Sequence, residues 1–303
     1  MWSMIILKNI IKINRKERKI MNLENIQKKL FERKLNKMEY FKPAFDVYRE
    51  FLKNNKLLVF LTHLLMLAII GIDFFNRYLL IKVVIHEDKS PKTVSMLMVF
   101  GILELIFSII QSFLTGYYLK KIVMEIEDKK EFNFKKFILK ILRLISIQYC
   151  LVLGLMVIVE TLKMASLGII SLMLQITVIV IIIKYLLYFE AYYIQDDIGI
   201  INSINYSHQL CKGNRLRKII PGVILVLISI IPTLLIAFGI LQLFRISFWL
   251  GIIAVTVFIV GIVFIGIYLQ VLSSVIFLNV EYDFLKKQEN NNEIEETHYE
   301  NEE

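Results

Sequence analysis

Six long apolar stretches divide the sequence, and they constrain its fold more than any other feature. They consist mostly of Leu, Ile, Val, Phe and Met and cover residues 57–81, 94–118, 141–160, 167–189, 219–243 and 248–279. A helix needs about 20 apolar residues to cross the roughly 30 Å hydrocarbon core of a bilayer. The stretches lack the two-residue alternation of a membrane β-barrel. The sequence therefore predicts an all-α polytopic membrane protein with six transmembrane helices.

Composition excludes the main soluble alternatives. Apolar residues make up 57% of the chain, whereas soluble domains have about 45–50%. The charged residues, 21% of the total, lie at the two ends and in short blocks between the apolar stretches. An ordinary soluble enzyme, a disordered chain and a disulfide scaffold are therefore excluded.

The distribution of Lys and Arg predicts the orientation in the membrane. The two chain ends and the flanks on their side hold 29 of these residues, and the opposite flanks hold 5. Because cytoplasmic flanks are enriched in Lys and Arg, we expect both termini in the cytoplasm. The chain then divides into a basic N-terminal extension (1–42), a six-span membrane domain (43–285) and an acidic tail (286–303), which we expect to be disordered.

Two of the cytoplasmic blocks repeat each other at an offset of 159 residues. Residues 44–57 read AFDVYREFLKNNKL and residues 203–216 read SINYSHQLCKGNRL, and residues 131–144, EFNFKKFILKILRL, are a weaker third copy. Each copy precedes two apolar stretches. The pattern predicts three tandem units, each an amphipathic interfacial helix followed by a helical hairpin. The alternative is that any helix before a basic membrane flank has this pattern.

The first copy has the spacing of an amphipathic helix. Its apolar stripe consists of Ala44, Val47, Tyr48, Phe51 and Leu52. Such a helix would lie in the membrane interface with its basic residues near anionic headgroups. In the last copy, Asp196 or Asp197 can cap the start of the helix, and Gly213 can end it in a left-handed conformation.

The second block resembles a signature of one membrane superfamily. The matching residues are Ser207, Leu210, Lys212, Gly213, Asn214 and Arg215. The superfamily includes the membrane domain fused to bacterial glycerophosphodiester phosphodiesterases and many stand-alone six-span proteins of Gram-positive bacteria. The segments 44–58 and Val280–Asp283 also look like this family. The resemblance implies a bacterial cell membrane protein, and it carries no catalytic residue onto this chain because the phosphodiesterase activity lies in a separate soluble barrel.

Polar residues inside the apolar stretches are the candidate functional residues, because a charge in lipid is costly. Glu104 lies about 15 Å into the second stretch at 1.5 Å per residue, and Gln111 shares its helix face. Asp73 and Arg77 lie four residues apart on the first stretch and can pair. Together these residues could form a polar intramembrane site, or they could be structural contacts between helices.

The sequence contains no pattern that indicates a catalytic, cofactor-binding or metal site. The net charge of +9 is explained by membrane topology, so we expect no nucleic-acid partner. Anionic lipids at the cytoplasmic face are the expected partners, and a protein partner stays open. The sequence favours a non-enzymatic protein of envelope or lipid homeostasis, or a membrane subunit of a larger assembly. The alternative is a transporter or flippase-like carrier.

Overall fold

The regular structure of the chain is helical, as predicted. The computed structural model describes residues 24–84, 90–129, 132–164, 173, 176–178, 180–181, 184 and 187–300. The main helices of this part are α1 (24–32), α2 (Phe41–Asn54), α3 (Lys56–Val84), α4 (Pro91–Ile126), α5 (Phe134–Met164), α6 (Tyr188–Ile194), α7 (Ile200–Cys211), α8 (Arg215–Ile246) and α9 (Phe248–Glu300).

Four of the described helices are long and apolar enough to cross a membrane. They are Lys56–Val83, Pro91–Ile126, Arg215–Ile240 and Phe248–Glu289, and they coincide with the first, second, fifth and sixth predicted stretches. The third stretch lies within α5, which is not among these four, and the fourth lies mostly outside the described residues. The chain is therefore compatible with a multi-pass membrane protein, and the six-span count stays a prediction.

The four long helices form two antiparallel pairs that meet at one end of the molecule. At the start of α3, the hydroxyl of Thr62 lies 2.7 Å from that of Tyr118, near the end of α4. Lys218 at the start of α8 and Ser273 late in α9 both donate to the carboxylate of Glu190 on α6. We call this end the basic end; it comprises α1, α2, α6, α7 and the adjoining turns of α4, α8 and α9.

The best-packed part of the protein is the basic end. α9 contributes the centre of the core there, with Val263, Ile267, Val271, Leu272, Val275, Ile276, Phe277, Leu278 and Val280 all buried. By contrast, only 6–22% of the most apolar window of each candidate span is buried within the protein. The long helices are thus held together mainly at one end, and their remaining apolar surface is available to lipid.

The first amphipathic helix forms as α2, but its apolar stripe faces protein. Ala44, Val47 and Phe51 are at most 2% exposed. The ring of Tyr48 meets that of Tyr268 edge to face at 5.4 Å. The stripe therefore packs on α9 and α4, and the position of α2 in the membrane interface stays a prediction.

The third copy of the repeat does not form a separate short helix. Residues 134–144 of this block belong without a break to the 31-residue helix α5. In the other two copies, α2 ends at Asn54 and α7 ends at Cys211, each just before a long helix. Among the described residues, a short helix thus ends before a long one in two copies and not in the third, and the three tandem units stay a prediction.

In these two copies an asparagine side chain bonds back to the last turn of the short helix. The amide of Asn55 donates to the carbonyl of Phe51 at 2.9 Å, and that of Asn214 donates to the carbonyl of Leu210 at 2.9 Å. The carbonyl of Phe51 also accepts the backbone N–H of Asn55 at 3.0 Å, so the amide of Asn55 reinforces an existing bond of the last helical turn. Leu142 occupies this position in the third copy and has no amide to donate.

α9 also continues beyond the predicted last span. It is helical to Glu300 and so includes most of the segment 286–303, for which the sequence predicts disorder. Extending an existing helix avoids the cost of nucleating a new one. The ion pair between Lys287 and Asp283, at 3.0 Å and four residues apart, supports the extension.

Candidate functional site

Asp73 and Arg77 form an ion pair on the exposed surface of α3. The Nε of Arg77 donates to the two carboxylate oxygens of Asp73 at 3.0 and 2.9 Å. The two side chains are 39% and 74% exposed. The pair is therefore internal to one helix and satisfied by itself.

Glu104 contacts a residue that the sequence reasoning missed. Its Oε2 accepts a hydrogen bond of 2.7 Å from the amide of Asn76, which joins α4 to α3. Asn76 lies between Asp73 and Arg77 in sequence, so three of the predicted residues come near one another at this end of the hairpin. Gln111 is exposed two turns away and does not join them.

The family-like motif forms the junction between α7 and α8. Ser207 and Leu210 are fully buried, whereas Lys212 is exposed in the turn. Gly213 has φ of +78°, which confirms the predicted left-handed conformation, and Asn214 closes α7 as described above. The motif residues thus shape the connection between the two helices, and Arg215 begins α8.

Asp196 and Asp197 do not cap α7, contrary to the prediction. The N-cap of α7 is Gly199, which has no side chain to accept a hydrogen bond. Asp196 accepts instead from Lys120 at 2.8 Å, and Asp197 accepts from Lys136 at 2.5 Å. Lys136 lowers the pKa of Asp197 by this contact. The two carboxylates therefore tie α4 and α5 to the loop before α7.

A small pocket that Asp196 and Asp197 line together with basic side chains lies beside this loop. It has a volume of about 290 Å³ and is lined by Lys136, Lys140 and Arg143 from α5. The Nζ of Lys140 donates to the carbonyl of Gln195 and lies 4.6 Å from the ring centroid of Tyr192. Burial lowers the pKa of Lys140 to about 8.

Asn279 on α9 anchors the segment before α2. Its side chain is fully buried; Oδ1 accepts from the backbone N–H of Leu35 at 3.0 Å and from the hydroxyl of Tyr40 at 2.9 Å. Its Nδ2 donates to the carbonyls of Leu30 and Arg33 at 2.6 and 2.9 Å. One side chain thus fixes the path of the chain from α1 to α2.

The residues after Asn279 make further links. The Oε1 of Glu281 accepts from Tyr206 at 2.6 Å and from Gln195 at 2.5 Å, so α9 holds α7 and the preceding loop. Burial and the neighbouring Glu281 raise the pKa of Tyr206. The hydroxyl of Tyr282 donates to Glu127 at 2.9 Å. The family-like exit of the last span is therefore a structural hub.

The candidate binding site is a groove of about 850 Å³ between α2, α3 and α9, which we call the α2–α3–α9 groove. Its walls are mainly apolar and aromatic, formed by Phe45, Tyr48, Leu52, Val59, Phe60, His63, Leu64, Leu67, Val260 and Phe264. Arg49, Lys53 and Lys56 complete the lining at the basic end. Leu67 lies about 16 Å further along α3 than Lys56, at 1.5 Å per residue. The groove is thus basic at one end and apolar along its length.

The wall of the groove is held in place by contacts between its helices. The hydroxyl of Tyr48 donates to the carbonyl of Phe264 at 3.3 Å. The rings of His63 and Phe264 lie 4.9 Å apart. Among the basic residues, Lys53 pairs with Glu50 at 3.2 Å and both remain partly exposed. Three basic side chains and no acidic one are among the residues that line the groove, so its lining is positive at this end.

None of the predicted polar residues lines this groove. Glu104 and the Asp73–Arg77 pair lie on α3 and α4 away from its lining residues. Within the described part of the chain, no group of three or more His, Cys, Asp or Glu residues could hold a metal ion. No family model, no curated protein and no solved structure matches the chain, so the family resemblance stays a prediction.

Proposed function

We propose that this chain is a non-enzymatic, multi-pass protein of the bacterial cell membrane that binds an anionic phospholipid in the α2–α3–α9 groove and acts in envelope lipid homeostasis. In this proposal both termini are cytoplasmic. α5 and the stretch 167–189 supply the two further spans. The basic end then faces the cytoplasmic leaflet.

The composition of the groove is the observation that carries the proposal. An acyl chain needs an apolar wall, which the groove offers from Val59 to Leu67 on α3 and at Phe264 on α9. A phosphate headgroup needs cationic donors, and Arg49 and Lys53 lie at one end of the same groove. Arg and Lys are the usual partners of phosphate oxygens. An anionic phospholipid has this pairing of chemistries in one molecule.

The carrier function receives less support from the geometry. It would use Glu104 and the Asp73–Arg77 pair as its polar site. Glu104 accepts a hydrogen bond from Asn76 across the helix pair, and Asp73 and Arg77 satisfy each other. The Asn76–Glu104 contact is typical of helix association in lipid, and the ion pair is internal to α3.

The test measures which lipids stay bound. The full-length protein is reconstituted with equal amounts of phosphatidylglycerol and phosphatidylcholine, extracted in mild detergent and examined by native mass spectrometry. We expect stoichiometric phosphatidylglycerol. The triple variant Arg49→Gln, Lys53→Gln, Lys56→Gln should lose it, since each basic residue near a membrane surface contributes about 1 kcal/mol to the attraction of anionic lipid.

A matched variant controls for net charge. Lys28→Gln, Lys37→Gln, Lys212→Gln removes three basic residues that are exposed and do not line the groove. It should retain phosphatidylglycerol like the wild type. Equal retention of the two lipids by the wild type, or equal loss in both triple variants, overturns the proposal. Repeating the extraction from native membranes tests the alternative subunit function, for which a stoichiometric protein companion is expected.

A further inference from the structure

A second cavity, of about 430 Å³, lies between α4, α6 and α9. We call it the Glu190 pocket. Its polar lining includes Ser112 and Thr115 from α4, Glu190 from α6, and Gln270 and Ser273 from α9. It shares no lining residue with the α2–α3–α9 groove. The pocket is therefore a separate site and does not depend on the function proposed above.

Glu190 is a buried carboxylate that is only half satisfied. Its side chain is 5% exposed. Its Oε1 accepts from Lys218 at 2.5 Å and from Ser273. Its Oε2 is buried with no hydrogen-bond partner among the described residues, and the same is true of Oε1 of Gln270. A buried acceptor without a donor costs about 1–3 kcal/mol. Both residues line the pocket, so a donor that enters it and reaches these two oxygens would recover that cost.

The hydroxyl groups of the pocket also act as acceptors toward it. Ser112 uses its proton in a hydrogen bond of 3.0 Å to the carbonyl of Ser108. Thr115 uses its proton in a hydrogen bond of 3.0 Å to the carbonyl of Gln111. The serine of α9 donates to the carboxylate, as described above. Their lone pairs remain available, because a hydroxyl has two acceptor sites besides its single donor.

The rest of the lining is apolar and aromatic. Leu119, Phe189, Tyr193 and Leu269 complete the wall. The ring of Tyr193 can approach α4 because residue 116 is glycine: a Cβ there would lie 2.7 Å from its Cε1. Aromatic faces attract cations, and the volume lies within the range of small-molecule sites rather than of a bare ion. The pocket thus offers acceptors for a cationic group and a wall for attached carbon atoms.

We infer that the Glu190 pocket binds a primary ammonium group with a short carbon chain. The ammonium donates to the free oxygens of Glu190 and Gln270, and its chain lies against Phe189 and Tyr193. Since each carboxylate oxygen accepts separately, the ion pair with Lys218 persists. The ammonium can belong to a soluble amine or to the ethanolamine headgroup of a phospholipid.

Butylammonium is a suitable probe. The full-length protein is placed in nanodiscs of phosphatidylcholine and phosphatidylglycerol, which carry no primary amine, and binding is titrated by saturation-transfer difference NMR with empty nanodiscs subtracted. We expect saturable binding of butylammonium and none of tetramethylammonium, which has no N–H to donate. Glu190→Gln and Gln270→Leu should each weaken binding at least about tenfold, the equivalent of one charge-assisted hydrogen bond.

The Gln270→Leu variant leaves the Lys218–Glu190 ion pair intact, so it tests the site even if Glu190→Gln does not fold. Glu104→Gln, on α4 but away from the pocket lining, is the control and should bind like the wild type. Adding phosphatidylethanolamine to the nanodiscs distinguishes the sources: competition indicates a lipid headgroup, and unchanged binding indicates a soluble amine. Binding that does not saturate, or that Gln270→Leu leaves unchanged, overturns the inference.

Discussion

Asn55 and Asn214, 159 residues apart in aligned segments of the sequence, make the same side-chain hydrogen bond to a preceding helix. Each follows a short amphipathic helix, donates its side-chain amide at 2.9 Å to the carbonyl four residues earlier, and precedes a long apolar helix. The two residues differ in their further contacts. Asn55 also donates to Glu125 on α4 at 2.8 Å, whereas Asn214 makes no such contact among the described residues.

This difference predicts unequal costs of substitution. Asn55→Ala should lower the free energy of unfolding by about 2–3 kcal/mol, because it removes a hydrogen bond to a carboxylate as well as the helix-closing bond. Asn214→Ala should cost about 1 kcal/mol. Thermal unfolding in detergent measures both, and Asn205→Ala, an exposed position on α7, is the control. Equal costs at the two sites would contradict the prediction.

Asn279→Leu should release the segment before α2 from α9. The substitution leaves four backbone or hydroxyl groups around it without their partner, each worth about 0.5–1.5 kcal/mol. We expect trypsin to cleave residues 24–40 markedly faster than in the wild type. Gln288→Leu, an exposed position on the same helix, should behave like the wild type. Unchanged cleavage of the Asn279 variant would rule out this anchoring role.

Two substitutions of Glu104 distinguish a structural role of its carboxylate from a role of its charge in lipid binding. Glu104→Ala should cost about 1 kcal/mol, the size of an interhelical hydrogen bond in lipid. Glu104→Gln keeps an oxygen for Asn76 and should retain most of that stability. Gln111→Ala, exposed on the same helix, serves as the control. A stable Glu104→Gln variant that loses phosphatidylglycerol would instead indicate a functional charge.

The burial of Lys140 leads us to expect that the stability of the folded protein depends on pH. Burial lowers its pKa from 10.5 to about 8 in the folded chain. Between these values the unfolded chain binds more protons than the folded chain, so stability rises with pH. Relative to Lys140→Met, the wild type should therefore gain in Tm from about pH 8 to about pH 10.5. A difference in Tm that is constant across this window would contradict the assignment. Subtracting the variant removes the contribution of tyrosines that titrate nearby.

The sequence predicts the helices of this fold better than their contacts. Apolar length alone locates α3, α4, α8 and α9, because the thickness of a bilayer fixes the length of a span. The stripe of α2 is also correct as a pattern. Its burial against α9 was not predictable, since an apolar helix face fits protein and membrane interface equally well.

The candidate site residues show a similar limit. Glu104 was selected by its depth in an apolar stretch, because a charged residue there is costly and therefore indicates a function. The sequence reasoning passed over Gln270, which interrupts the last apolar stretch, and Asn279, which ends it. Both could have been found by the same criterion. Glu190 lies one residue beyond a predicted span, where a carboxylate is unremarkable. Only the tertiary contacts reveal that it is buried.

The continuity of α9 has a mechanical consequence. Its 53 residues span about 80 Å at 1.5 Å per residue. Most of the apolar half is exposed at the surface of the protein. The half around Asn279 is packed against neighbouring helices. A helix without a break behaves as a stiff lever. A change in bilayer thickness that alters the tilt of the apolar half therefore tilts the packed half by the same angle. The orientation of the far end of α9 then depends on the thickness of the membrane.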